Sequence, residues 1–277
     1  MKSKIYLCSF ASPDLAKARS NFIKNAKALN IYDNIKVFGV NDLSISLKKR
    51  IKSRITKFDL RGYGYWCWKP YIIKKFSKSL PKNAIIQYMD VGTEINLNGK
   101  KNLKNYLKIV NKENFLTFKY KPSLKIKSNL FKIQVYREYQ FTKSDIFKKF
   151  KLNLNSSISK DFQILSGIFF FKNNKKSYKI IHEWEKEMRN ENLIDDTPSK
   201  SLNHQDFISN RHDQSFFSII CKLNKVKSLS CSDELEFVLK NNKIFWKHLK
   251  DKPFLVKRNK SRSFLNKILR LISKVFY

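Results

Sequence analysis

Apolar residues fall into two periods along this chain, and the periods alternate. Residues 4–10 (KIYLCSF), apolar but for Lys4 and Ser9, predict a buried strand. Pro13 then opens a helix reaching about Leu29, with Leu15, Ala18, Phe22, Ala26 and Leu29 on one stripe. Residues 35–40 (IKVFGV) read as a second strand, and a polar, basic helix follows at 44–54. The stretch 66–79 reads as helical after Pro70, and 84–89 (AIIQYM) is a third strand ending at Asp90. Strand, helix, strand, helix, strand is the order of a doubly wound α/β fold.

The second half alternates less regularly. A helix is predicted at 99–110, a strand at 114–119, and a short helix at 142–150 with Thr142 as its cap. Residues 163–171 (QILSGIFFF) are a buried strand, and a charged helix covers about 174–191. A loop at 193–210 leads into a helix starting near 212, and short strands fill 226–256. No repeat or Pro/Ser-rich linker divides residues 1–256, which are taken as one domain. Residues 257–277 differ. Seven Lys and Arg, no acids, and apolar residues at helical spacing predict a basic amphipathic C-terminal helix. Such a helix lies on an anionic membrane surface, or docks on its own domain or on a partner copy.

With 277 residues, 42% of them hydrophobic, the chain can bury a large core. The longest apolar run is about eight residues, far short of the roughly 20 that span a bilayer. No signal peptide is read at the start. The net charge of +36 points to polyanionic partners. The cations are 48 Lys and only 10 Arg, and Asn is also abundant. That bias fits compositional drift better than base or phosphate recognition, which favours Arg forks. Cys8, Cys67, Cys221 and Cys231 fit neither a zinc site nor a disulfide framework, and are read as reduced thiols of a cytoplasmic protein.

Ligands of open α/β sheets bind beyond the carboxyl ends of strands. Those ends fall at Ser9-Phe10-Ala11, at Asn41-Asp42 and at Asp90-Val91-Gly92-Thr93-Glu94. A carboxylate leaving a buried strand beside a glycine is a common way to hold a metal–diphosphate; the alternative is an Asp capping a turn or the next helix. Residues 61–70 (RGYGYWCWKP) carry two Gly, four aromatics and two cations. They suit a loop that closes over a ring or sugar, or a core aromatic cluster. Asp213 and Gln214 sit where a helix begins, as caps or as groups facing a site. No P-loop, no GxGxxG and no G-x-S-x-G elbow is present. His182 precedes His212-Asp213 at a spacing like that of HD-type metal phosphohydrolases, but those are all-helical and the strands here argue against them.

Five segments together resemble one family. They are 61–73 (RGYGYWCWKPYII), 85–96 (IIQYMDVGTEIN), 141–150 (FTKSDIFKKF), 163–173 (QILSGIFFFKN) and 210–222 (NRHDQSFFSIICK). In this order they resemble bacterial GT-A type glycosyltransferases of the surface polysaccharide and lipopolysaccharide group, distantly similar to the glycogenin-like transferases. The resemblance implies a GT-A-like α/β domain with a doubly wound, mixed central sheet. It implies transfer of a sugar from a nucleotide-sugar donor to a hydroxyl of a cell-surface glycan or lipid-linked acceptor. It assigns the donor to Ser9, Phe10, Arg61, Tyr65, Trp68, Lys69, Asp90, Gly92, Gln163, Ser166 and Gly167, and catalysis to Asp213, the candidate base, and Gln214. It implies a divalent metal, Mn or Mg, on Asp90, with Glu94 and His248 as further ligands. The family's second acidic position is Gly92 here, which weakens the metal site. With the tail, these features predict a peripheral protein at the inner membrane face. The competing readings are a basic nucleic-acid-binding protein and a nucleotidyltransferase on a similar scaffold; nucleic acid is the less expected partner.

Overall fold

The computed structural model describes residues 3–54, 61–123, 125–126 and 130–257. The expected tail helix lies, from residue 258 on, outside the described residues. The first strand, β1 (Ile5–Phe10), is buried along its whole length. A 3-10 turn at Pro13–Leu15 leads into α1 (Ala16–Ala28), whose Ala18, Phe22 and Ala26 face inward. Then come β2 (Asn34–Phe38), α2 (Ile45–Arg54), α3 (Lys69–Lys78) and β3 (Ile85–Met89). After the two-residue β4 (Glu94–Ile95) follow α4 (Lys100–Glu113) and β5 (Phe115–Lys119). The last elements include α5 (Ser144–Lys149), β6 (Ile164–Lys172), α6 (Lys175–Glu187), α7 (Asp213–Leu223) and β7 (Lys227–Ser230). A hairpin, β8 (Val238–Lys240) and β9 (Lys243–Phe245), precedes β10 (Phe254–Leu255), which pairs with β4.

The main sheet has six strands in the order β2-β1-β3-β6-β5-β7. β1, β2 and β3 are mutually parallel, as are β5 and β7; β6 alone runs antiparallel to its neighbours. The doubly wound, mixed α/β sheet expected from the sequence is therefore present, with side chains alternating between two cores. Tyr6, Cys8 and Phe10 of β1 join one, with residues of α2, α3, α6 and α7. Ile5 and Leu7 join the other, with residues of α1 and α4.

The reversal of β6 positions the site. Its amino end lies beside the carboxyl ends of β3 and β5, so chemistry from all three meets at one edge. The β5–β6 pairing jumps from Leu116–Phe170 to Phe118–Leu165, leaving residues 166–169 across from Thr117 alone. Such a bulge re-aims side chains, here at Ser166 and Gly167.

Several elements differ from the sequence reading. Helix α3 opens at Lys69, where Pro70 predicts, so Trp66–Trp68 lie outside it. Residues 62–66 instead run through positive φ values of 57, 52, 86, 56 and 57°. The amides of Tyr65 and Trp66 donate to the carbonyls of Arg61 and Gly62, closing one left-handed turn. Such turns disfavour residues other than Gly; a Cβ at Gly62 would meet the Trp66 ring at 2.3 Å. Thr142 is no cap: its hydroxyl donates to the buried Glu138 at 2.7 Å, and the first amide of α5, that of Ser144, donates instead to Asn203 Oδ1 at 2.9 Å. The charged helix is shorter than 174–191, with Asn174 capping its start through the Ser177 amide. β2 ends at Phe38, because Val40–Asp42 form a 3-10 turn. All four cysteines are free and buried.

Behind β6, Glu138 is fully buried and accepts from Lys222 at 2.6 Å and from Ser218 and Thr142. Removing one member of a buried pair leaves the other charge uncompensated. Glu138→Ala is therefore expected to cost about 3–5 kcal/mol, measured as a lower urea midpoint with unchanged slope.

A candidate active site at the carboxyl edge of the sheet

A cavity of about 480 Å³ opens at this edge. Phe10 from the end of β1, Asp90 and Gly92 after β3, Tyr120 after β5 and Leu165–Gly167 of β6 line it, with Arg211–Gln214 at the start of α7. The left-handed turn supplies Arg61, Gly62, Tyr63 and Trp66, followed by Trp68 and Lys69. Trp68 stacks on Phe10 with ring centroids 3.9 Å apart, and its indole N–H donates to the Gly62 carbonyl at 3.0 Å. The turn is thereby pinned to β1.

Lys69 forms the floor. It is 1% exposed, and its Nζ lies 2.7 Å from Asp213 Oδ2, 3.5 Å from Asp90 Oδ1 and 3.4 Å from Ser166 Oγ. The ammonium also sits over the Tyr88 ring at 5.4 Å. Burial disfavours its charge, but Asp213 and then Asp90 outweigh that and raise its pKa. Asp213 Oδ2 also accepts from Ser166 Oγ at 2.8 Å, and its carbonyl accepts from the Trp184 indole at 3.0 Å. Burial raises the Asp213 pKa, with Lys69 pulling the other way. Asp90 is the more open acid, its side chain 40% exposed. Tyr88 donates to its Oδ1 at 2.7 Å, and its amide donates to the Gly167 carbonyl at 2.8 Å. A Cβ at Gly167 would stand 3.0 Å from Asp90 Oδ2, so glycine leaves that oxygen room.

Of the residues singled out in the sequence, Phe10, Arg61, Trp68, Lys69, Asp90, Gly92, Ser166, Gly167, Asp213 and Gln214 all line this cavity. Ser9 does not; it is fully buried in β1, its hydroxyl unpartnered. Tyr65 packs on His212 at 4.9 Å instead of lining the wall. Gln163 lies behind the wall, donating to Glu138 at 3.3 Å and accepting from Gln214 at 2.7 Å. Gln214 reaches the cavity, yet its amide is spent on Gln163 and on the Ser166 amide at 3.3 Å. Gln163 and Gln214 thus act as supports.

Asp90, Glu94 and His248 do not come together as the metal set the resemblance implies. Glu94 pairs with Lys257 at 2.7 Å, because β4 faces β10 rather than the cavity. His248 Nε2 bonds the Ser232 carbonyl at 2.9 Å. Among the described residues no group of three or more His, Cys, Asp or Glu is placed to hold a metal. Of Asp90, Glu94 and His248, Asp90 alone lines the cavity, so a divalent ion there would take one protein carboxylate and otherwise oxygens of a bound ligand or water. Mg²⁺ accepts that mode.

Tyr120 is not singled out in the sequence, and Phe141, Arg211 and His212 stand there only within the matching segments or the HD-type spacing, with no role at the site. Tyr120 was within reach of the strand-end rule, since it follows β5. The others come from loops, where no periodicity points at a shared site.

His212 is 2% exposed and packs near the Tyr65 and Trp66 rings. Its Nδ1 lies 2.6 Å from the Ile194 carbonyl, so that nitrogen donates. Burial lowers its pKa to about 4. From pH 6.5 down to 4 the unfolded chain therefore takes up a proton that the fold refuses. Stability from this group is complete above pH 6.5 and falls as pH drops through the window, by about 3 kcal/mol in all. His212→Gln should flatten the wild-type profile over pH 6.5–4 in parallel urea titrations; coinciding slopes would rule the effect out.

No family model matches the chain, and no curated protein matches it. Among solved structures, a glycosyltransferase involved in glycosylating the major capsid of PBCV-1 aligns over 97% of this chain and 99% of its own. The TM-score is 0.50 at 11% identity. Mouse xyloside xylosyltransferase 1 aligns over 84% of this chain and 87% of its own, at 13% identity and TM-score 0.41. The galactosyltransferase LgtC, solved with donor and acceptor sugar analogs, aligns over 84% and 75%, at 11% identity and TM-score 0.41. The first likeness bears on architecture alone: the chain has a GT-A-like fold. The other two are too distant to add weight.

Proposed function

We propose that this chain is a glycosyltransferase that moves a sugar from a nucleotide-sugar donor to a hydroxyl of a cell-surface glycan or lipid-linked acceptor. The observation that carries the reading is the pair of acids, Asp90 and Asp213, held around one buried ammonium at the carboxyl edge of a GT-A-like sheet. Fold alone does not specify chemistry; the site must supply it.

In this reading the stacked Phe10 and Trp68 form the aromatic wall for the donor. Ser166 and Gly167 let the sugar ring approach the bulge in β6. In the reaction the bond between the sugar's anomeric carbon and the diphosphate oxygen breaks, and a bond to the acceptor oxygen forms. The acceptor proton passes to Asp213, whose raised pKa suits a base. Lys69 keeps that carboxylate oriented. The cavity's charged side chains balance, with Arg61, Lys69 and Arg211 against Asp14, Asp90 and Asp213. A diphosphate therefore adds charge that these groups do not offset. A divalent ion on Asp90, when bound, would neutralise the leaving group.

A thermal-shift screen tests this. Nucleotide sugars, free nucleotides and nucleoside triphosphates are each added with and without Mn²⁺ or Mg²⁺. A ligand at about 100 times its Kd adds roughly 2.7 kcal/mol, a rise of several degrees. One nucleotide sugar should shift the melting temperature and turn over. Asp90→Asn should lower transfer about a hundredfold or more while melting normally. Triphosphate turnover without sugar transfer would favour the nucleotidyltransferase reading.

Among the described residues no helix is long and apolar enough to cross a membrane. We assign membrane contact to the basic segment 257–277 by its composition. Removing residues 258–277 should abolish sedimentation with vesicles of anionic phospholipid and leave soluble transfer intact. Retained sedimentation would discard that assignment.

A further inference from the structure

Three cations line the cavity, and two of them are matched. Arg61 pairs with Asp196 at 2.8 Å, and Lys69 with Asp213 at 2.7 Å. Arg211 has no carboxylate partner among the described residues. Its guanidinium instead lies against three aromatic rings, 4.1 Å from the Phe141 centroid, 4.3 Å from Tyr136 and 5.4 Å from Tyr120. The main chain is fixed as well: the Arg211 amide donates to the Phe141 carbonyl at 3.1 Å and to Ser215 Oγ at 3.2 Å.

This is the construction of an anion receptor. Aromatic faces attract the cation and hold its plane without consuming its hydrogen-bond donors. A planar guanidinium with free donors matches a carboxylate or phosphate through two parallel bonds. Holding it in advance removes the ordering cost that a flexible surface arginine would pay on binding.

The position of Arg211 selects the ligand. The aromatic wall of Phe10 and Trp68 stands at the end of β1. The ring box of Arg211 stands at the end of β5, three strand spacings away along the order β1-β3-β6-β5. At about 4.8 Å per spacing that is roughly 14 Å. Asp90 and Lys69 lie between. A donor seated on the β1 wall with its phosphates at Asp90 leaves Arg211 to the other substrate.

We infer that Arg211 is an anion subsite within the cavity, and that it takes a carboxylate or phosphate borne by the acceptor sugar. The donor and acceptor labels rest on the transferase reading; the anion subsite does not. The alternative source of the same chemistry is the donor's own diphosphate.

Calorimetric or ligand-observed NMR titrations separate these. The probes are glucose 6-phosphate and glucuronate, with neutral glucose as control, and the diphosphates ADP, CDP, GDP and UDP. Wild type should bind an acidic sugar about tenfold or more tightly than glucose, the range of a charge-assisted bond. Arg211→Gln should erase that preference while leaving nucleoside diphosphate affinity within about twofold. If it weakens a nucleoside diphosphate about tenfold instead, the subsite stands but the acceptor assignment is overturned. Unchanged affinities for every probe, or wild type without preference for any anionic probe, overturn the subsite. Should Arg211→Gln fail to fold, Arg211→Met keeps an apolar stem against the rings and carries the same comparison. A wild type that binds acidic sugar but no nucleotide would remove the transferase reading and leave the subsite standing.

Discussion

One buried ammonium organises the cavity edge of this protein. An isolated charge in the interior is costly, so Lys69 is stable at 1% exposure only with carboxylates around it. Those carboxylates come from distant parts of the chain. Asp90 leaves β3, and Asp213 opens α7. Ser166, from the bulge in β6, stands within 3.4 Å of the ammonium and 2.8 Å of Asp213. Three elements are thereby tied at one point, and the cavity inherits its floor from that tie.

The tie is braced from behind. Ser166 donates its amide to Gln214, Gln214 donates to Gln163, and Gln163 donates to Glu138. Glu138 in turn holds Lys222. The chain of donors runs in one direction from the cavity floor to a second buried ion pair, with each amide satisfied at both ends. Buried networks of this kind rigidify when complete and are costly when a member is lost. The orientation of the Asp213 carboxylate is thus set several residues away.

Much of the architecture was legible from residue patterns. The buried runs at 4–10, 84–89 and 163–171 are strands, and Asp90 at a strand end is a cavity residue, for the general reason that sheet edges collect loops. The segment 61–70 was legible as unusual but not in its form. Its glycines permit a left-handed turn, yet only packing against Phe10 and Ile51 shows why the turn is needed. Lys69 in that segment reads as a cation closing over the donor; its depth depends on two acids that sequence distance hides. The expected metal set failed for a related reason. Glu94 lies four residues beyond Asp90, but pairing of β4 with β10 turns it toward Lys257.

Sequence by itself determined the alternation of strands and helices, the basic character of the chain and the residue types gathered near strand ends. Those depend on local periodicity and composition, which a linear text carries. Tertiary structure alone decided which way β6 runs, and therefore that its amino end meets the carboxyl ends of β3 and β5. It also decided that Arg211 would be boxed by rings from residues 120, 136 and 141, while Arg61 and Lys69 found carboxylates. Whether a charge is paired, buried or free is a property of distances between segments, and no local pattern encodes those distances.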